Sequence, residues 1–356
     1  MTVKKNTKKL PFIDLKQVFA VGISILFVSY LLFYQYTNKY NTNETYNVLQ
    51  VGEDVKRMAS HVQVGLFVNN FPEFSIYKNR FKMNCVVWFR FPVGTESLDT
   101  IDNFSFQGGT IKTKSKPIVK IIGDDVVVSY KVTVEFVAYL TFKYFPVGNH
   151  KLNIILENRA ASQNELVFVG DRDNLRLSDQ LLVESWSVQG KNIKTGYMKS
   201  ELEENNKKME IGHPSVVFSI KFFNKDFRRF VTLYLPLFLL IFLAVFALFT
   251  EIGSTSRGYM VGTSVPSIIL YRLIINNLSP VSGELTKVDY VYFLLVFLSL
   301  FILFFHAYTL FIFRAIKDAP ASVQKKKKLR LRNANKIVLY SVLLGLALFM
   351  TYITFF

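Results

Sequence analysis

His61, His150, His213 and His306, with Cys85 alone of its kind, are the residues of this 356-residue chain best suited to metal or nucleophilic chemistry. The first three are scattered over about 150 residues and lack the close spacing that places metal ligands on one element. No nucleophile motif and no glycine-rich phosphate loop accompanies them. Catalysis therefore has no residues to carry it, and no metal or cofactor is expected. A single cysteine excludes an intrachain disulfide; Cys85 lies in an alternating apolar run and reads as a small buried side chain. Arg272 and His306 are more telling, because both interrupt long apolar runs where a charge is expensive and faces protein or water. Arg272 either pairs with Glu284 or Asp289 or reaches out to the surface two turns away. His306 is either a packed helix contact or a proton sensor.

The elements that hold those two residues are membrane spans. A composition of 51% hydrophobic and 15% aromatic residues points away from an ordinary soluble chain. Five stretches approach the roughly 20 helical residues that cross a hydrocarbon core: Val18 to Tyr34, Phe230 to Phe249, Gly258 to Leu278, Val288 to Phe313 and Ile337 to Phe356. The first has a basic start but no small-residue cleavage site, so an uncleaved anchor is expected over 18–36, after a basic tail over 1–17. The net charge of +17 is concentrated at the N-terminus and in a basic loop over 314–336, with Lys325 to Lys328, Arg330 and Arg332. Lys and Arg gather on the cytoplasmic side of membrane helices. With the N-terminus inside, both clusters fall in the cytoplasm and residues 40–228 fall outside, in a plasma or bacterial inner membrane. The clusters then contact lipid headgroups, and nucleic acid is not an expected partner.

The outer region should begin with a short amphipathic helix over 40–60 and continue as strands. Apolar and polar residues alternate in HVQVGLFVNN, NRFKMNCVVWFRF, VVVSYKVTVEFVAYLTFKYF, HKLNIILEN, ELVFVG, QLLVESWSV and SVVFSIKFF, with Gly, Asn, Asp and Pro between them. Leu140 to Asn158 reads as a hairpin. The expected fold is an all-β extracytoplasmic sandwich of eight to ten strands followed by a four-helix transmembrane bundle over 229–356, plus one N-terminal transmembrane helix. Sequons at Asn43 and Asn103 would lie outside.

Several motifs occur in a telling order. Tyr144-Phe145-Pro146-Val147-Gly148 resembles the aromatic-Pro-Phe-Asp turn of the pentameric ligand-gated ion channels, the Cys-loop receptor-like family. Trp186 falls where a later strand of that family carries Trp, and Pro236 matches the proline of its first channel helix. LSPVSGELTKVDYVYF resembles the link between the second and third channel helices, with Pro280, Thr286 and Asp289 in place. The resemblance covers roughly residues 45–356, is of the prokaryotic type without the disulfide, and implies a homopentamer in the lipid bilayer. It also implies that Phe145, Pro146, Gly148, Pro280, Thr286 and Asp289 form the coupling interface between sandwich and pore. Three features depart from the family: the extra N-terminal helix, Gly148 in place of an acid, and Asn224 where a basic residue is expected before the first channel helix. Losing both charges leaves a neutral junction, with Lys221, Lys225, Asp226, Arg228 and Arg229 nearby as substitutes.

Counting back from Pro280, the resemblance implies a pore helix over 258–278. One helical face carries Tyr259, Thr263, Pro266, Leu270, Leu273 and Asn277. These pore-lining residues are polar at the ends and apolar in the middle, the pattern of a gate that closes by dewetting. Alternatively Thr263, Ser264 and Ser267 pack helices together. Pro266 should kink the helix. Arg257 at the inner mouth would favour anions if its ring lined the pore. The loop before the last outer strand carries Tyr197 and then charges, so an amine cage is not expected and the ligand stays unassigned. Two functions follow: ion flux through a ligand-gated-type pentamer, or a non-conducting relative that serves as a binding or assembly module.

Overall fold

The computed structural model describes residues 15–38, 48–50, 59–137, 140–162, 164–181, 183, 185–199, 212–280, 282–316 and 320–355. The chain divides into two compact units, one of sheets and one of helices.

Eleven strands are described in the sheet unit. One sheet contains β1 (Ser60–Ser75), β2 (Arg80–Pro92), β4 (Gly109–Lys114), β5 (Ile118–Ile122), β6 (Asp125–Val137), β8 (Leu166–Val169) and β9 (Leu175–Leu177), in the order β4-β6-β2-β1-β8. Strand β5 continues along β6, while β8 and β9 both run parallel to β1. The other sheet has the order β10-β11-β7-β3, from β3 (Phe104–Phe106), β7 (His150–Asn158), β10 (Trp186–Lys199) and β11 (Gly212–Asn224). Helix α2 (Leu98–Asp102) leads into β3.

Alternation dictates which side chains the sheets bury. On β2, every second residue from Phe81 to Phe91 is buried; on β6, Val128, Tyr130, Val132, Val134 and Phe136 follow the same period. Their rings meet rings of the other sheet: Phe104 lies 5.4 Å from Phe89 and 5.2 Å from Tyr130, and Phe106 lies 5.6 Å from Phe136. Each such ring, taken out of water, contributes about 1.5–3 kcal/mol. Cys85 belongs to this core, and burial pushes its thiol up to about 12. Gly65 is required where it stands, because the Trp88 indole on the paired strand covers it: an added Cβ would sit 2.1 Å from Trp88 Cε2.

Three expectations about this unit change. Leu140 to Asn158 is not a hairpin, since 142–147 form turns and β7 pairs with β11 and β3. The buried residues there are Phe142, Phe145, Pro146 and Val147, which do not alternate as a strand facing one core must. Trp186 begins β10, so the run expected over 180–188 is that strand only from Trp186 onward. Leu49, expected within a helix, instead exchanges two backbone hydrogen bonds with Tyr197. Residues 40–47 and 51–58, with Asn43, and 200–211 of the polar loop lie outside the described residues.

The helical unit holds α1 (Leu15–Thr37), α3 (Phe227–Ala247), α4 (Thr255–Leu278), α5 (Lys287–Ala315) and α6 (Ala321–Phe355). All five are long and apolar enough to cross a membrane. Helix α1 buries Gln17, Val21, Ser24, Val28, Leu31 and Gln35, spaced alternately four and three apart as in a coiled-coil seam. Its far end meets the far end of α6: Gln35 Nε2 donates to Thr354 Oγ1 at 2.7 Å and Tyr34 stacks 5.3 Å from Phe355. Tyr36 lies 5.0 Å from Phe227 at the start of α3. Helices α1, α4 and α6 therefore run one way, and α3 and α5 the other.

The basic stretch expected as a loop is mostly helix, because α6 starts at Ala321 and runs unbroken through Lys336 into the apolar half. Lys, Arg, Gln and Leu are strong helix formers, and their propensity prevails over the charge. Residues 142–147 group with these helices rather than with the strands on either side of them in the chain.

Candidate functional site: the exposed face of α4 and the network at its end

The least apolar of the five spans is α4. Its buried stripe is Arg257, Val261, Ser264, Val265, Ile268, Tyr271 and Ile275, held against α3 and α5. The opposite stripe is uncovered: Tyr259, Thr263, Pro266, Leu270, Leu273 and Asn277 are all exposed, Leu270 by 64%. These are the six residues that helical spacing placed on one face. Of the two small hydroxyls weighed as packing residues beside Thr263, Ser264 is fully buried and bonds Val261 O at 3.1 Å. Thr263 turns its hydroxyl back to Tyr259 O at 2.7 Å. Pro266 lies on the exposed side, and the helix continues through it. The lost N–H removes only the bond to Gly262 O.

Arg257, expected at the inner mouth, turns its side chain inward, away from the exposed face of α4. It is fully buried, donating from Nη2 to Asn335 Oδ1 at 2.8 Å and from Nη1 to Thr250 O at 3.5 Å. Asn335 Nδ2 in turn donates to Leu248 O. The geometry of a helix explains the correction. Arg257 precedes Tyr259 by two residues, which is about 200° of rotation, so it shares the face of Val261 and Ser264 instead. The exposed face of α4 carries no charged side chain, and anion preference from an arginine ring loses its basis. His306 is a buried contact on α5 beside Gly258, where an added Cβ would lie 3.8 Å from Nε2.

At the other end of α4, Arg272 pairs with Asp289, one of the two partners expected for it. Its guanidinium lies 5.4 Å from the Tyr292 ring centre and 5.7 Å from that of Phe293. Asp289 also caps α5. Thr286 N–H and Oγ1 donate to its Oδ2 at 2.8 and 2.7 Å, and Thr286 Oγ1 accepts the Asp289 N–H at 3.4 Å, a reciprocal capping box. The Thr-x-x-Asp spacing carries that signal in the sequence. Pro280, just before, is buried.

Lys287 is the residue without a sequence signal. It is buried, its Nζ donates to Ile353 O in the last turn of α6 at 2.6 Å, and its ammonium lies 5.3 Å from the Tyr144 ring centre. Its backbone N–H donates to Lys143 O at 3.1 Å. Within 142–147, Phe145 N–H donates to Phe142 O and Val147 N–H to Tyr144 O, and the Phe145–Pro146 bond is cis. Phe145 and Pro146 thus belong to a buried turn that shares Lys287 with α5 and α6.

Gly148 belongs to the sheet unit. Its neighbour Asn149 accepts the Asn224 backbone N–H at 3.1 Å, and Asn224 Oδ1 accepts that of Asp226 at 2.8 Å. A buried neutral amide, Asn224, therefore stands where a base was expected, and its backbone meets buried Asn149, the residue after Gly148, where an acid was expected. Among the described residues no group of three or more His, Cys, Asp or Glu is placed to hold a metal ion. No family model matches the chain, and no curated protein matches it.

Proposed function

We propose that the chain is one subunit of a pentameric ion channel of the ligand-gated type, with a pore lined by the uncovered face of α4. In this reading the two sheets are an extracytoplasmic β-sandwich, the N-terminus and the basic half of α6 are cytoplasmic, and 142–147 with the Thr286–Asp289 turn passes movement to α4. One observation carries it. A helix long enough to span displays Asn277 outward and, at Pro266, leaves the Gly262 carbonyl without its helical donor, polar groups that lipid would leave unsatisfied and that protein or water would meet. Leu270 and Leu273 in the middle supply an apolar ring that gates by dewetting. With no charge on that face, selection between anions and cations is weak at the gate itself.

The test is electrical and chemical together. Purified protein in planar bilayers should carry current, Leu270→Ala should raise the open fraction, and a thiol-directed cation should block Thr263→Cys from the water side. Pentamers that pass no current under any pH or ligand, with Thr263→Cys unreactive, would remove the channel. The neutral Asn149–Asn224 contact favours one alternative, a non-conducting binding or assembly module with the same architecture. Currents altered by Leu270→Ala would exclude it.

A further inference from the structure

Helix α6 has two neighbours along its apolar half. It packs against α5 and against α1, while α3, α4 and α5 pack on one another. The α1 contact is a one-sided seam: Val21, Val28 and Leu31 are buried in it, whereas Phe19, Leu26 and Phe33 on the other side are exposed by 70%, 72% and 64%. Without a hydrophobic force to drive it, such a seam in a membrane depends on close packing and on the few polar bonds across it.

The polar bond lies at one end. Gln35 is fully buried and Thr354 nearly so, and Gln35 Nε2 donates to the same hydroxyl that donates onward to Met350 O at 2.7 Å. Ile353, the residue before Thr354, offers its carbonyl to Lys287 Nζ. That seat is backbone, so it moves whenever this turn of α6 moves. Lys287 in turn gives its backbone N–H to Lys143 O and holds its ammonium over the Tyr144 ring. A buried ammonium that loses an acceptor must find another or shift toward water, and Lys287 is bonded to the 142–147 turn by its own backbone.

We propose that α1 is a strap: by holding Thr354 it sets the turn of α6 on which Lys287 is seated, and through Lys287 it governs how firmly 142–147 is docked. Gln35 and Thr354 are 319 residues apart, yet their contact adjoins the one that Lys287 makes with Ile353. Loosening α1 at this end therefore loosens a turn that α1 reaches only through α6 and α5. The strap needs no pore, so it stands or falls separately from the channel reading. On that reading its consequence is a gating threshold set in part by α1.

Hydrogen exchange of the full chain in detergent micelles, read by mass spectrometry, tests it. Gln35→Leu should speed exchange in 142–147 by roughly threefold to fifteenfold, the range that one lost interhelical bond gives, and Thr354→Val should do the same. Gln17→Leu, the same change at the opposite end of the seam, should leave 142–147 as it was. In a Lys287→Met chain, where the seat is already lost, Gln35→Leu should add nothing there. Exchange in 142–147 that neither Gln35→Leu nor Thr354→Val alters would overturn the proposal, because the influence of α1 then ends at α6. Equal acceleration by Gln17→Leu would overturn it in favour of a general loosening of the seam. A full additional effect of Gln35→Leu in the Lys287→Met chain would also overturn it, sending the influence of α1 through Tyr36 and Phe227 instead. The first three variants decide the matter on their own should Lys287→Met fail to fold, and an unchanged far-ultraviolet circular dichroism spectrum checks that each is folded.

Discussion

Replacing Asp289 by Asn should destabilise the helical unit more than replacing both Asp289 and Arg272. Two charges about 4 Å apart attract by about 4 kcal/mol at an effective dielectric of 20. The Arg272 side chain is 33% exposed and that of Asp289 only 8%, so screening brings the pair to about 1–3 kcal/mol. Asp289→Asn keeps an oxygen for the Thr286 bonds but strands the guanidinium between Tyr292 and Phe293. Arg272→Met is milder, because the carboxylate retains the two Thr286 donors. Adding Arg272→Met to Asp289→Asn should therefore recover part of the loss. The assay is a double-mutant cycle on unfolding in mixed detergent micelles, followed by far-ultraviolet circular dichroism, with Thr286→Ala as a cap-only control at about 1 kcal/mol. A coupling energy of about 1–3 kcal/mol is expected. Additivity to within about 0.5 kcal/mol would mean that the contact holds no energy and that α4 and α5 are joined by packing alone.

Other outcomes follow from single contacts. Gly65→Ala should cost at least about 1–3 kcal/mol, since its Cβ would enter the Trp88 ring; an unchanged denaturation midpoint by tryptophan fluorescence would show that the indole moves freely. Gln35→Leu should weaken the α1 seam by about 0.6–1.7 kcal/mol through loss of the Thr354 bond, and identical detergent resistance would show that the apolar seam suffices. Cys85, with its thiol raised to about 12 by burial, should resist maleimide at pH 8 until the sheets unfold; prompt labelling of native protein would place it at the surface. The Glu165 carboxylate is held below its usual value by the Ser162 N–H and hydroxyl, so its contribution is present above the unfolded value and lost as pH falls through the lower, folded one. Glu165→Gln should flatten that acid limb of the stability profile, and an unchanged limb would count against the contact.

The spans were legible because length and apolarity alone decide them, and the bounds of α3 and α5 fall within three residues of the apolar runs. Alternation revealed β2 and β6, whose buried residues follow it, and located β11, which is buried on both faces from Pro214 to Ile220. It missed β4 and β5 because they are short, and most of β10 because that strand lies at the edge of its sheet and has few buried residues. The exposed stripe of α4 was legible from spacing, and the same spacing turns Arg257 inward. Asn335, which receives it, lies on another helix and leaves no trace in the local pattern. Lys287 is hidden for the same reason, since its significance rests on Ile353, 66 residues later.

Residues 142–147 also bear on the order in which the chain is made. Their place among the helices depends on Lys287 and, through it, on Ile353. A ribosome delivers these six residues about 200 residues ahead of that last turn. The strands on either side can pair while the segment between them still has nowhere to go. Docking of this turn therefore waits for the last turn of α6, and a change at Ile353 acts on a turn from the middle of the sequence.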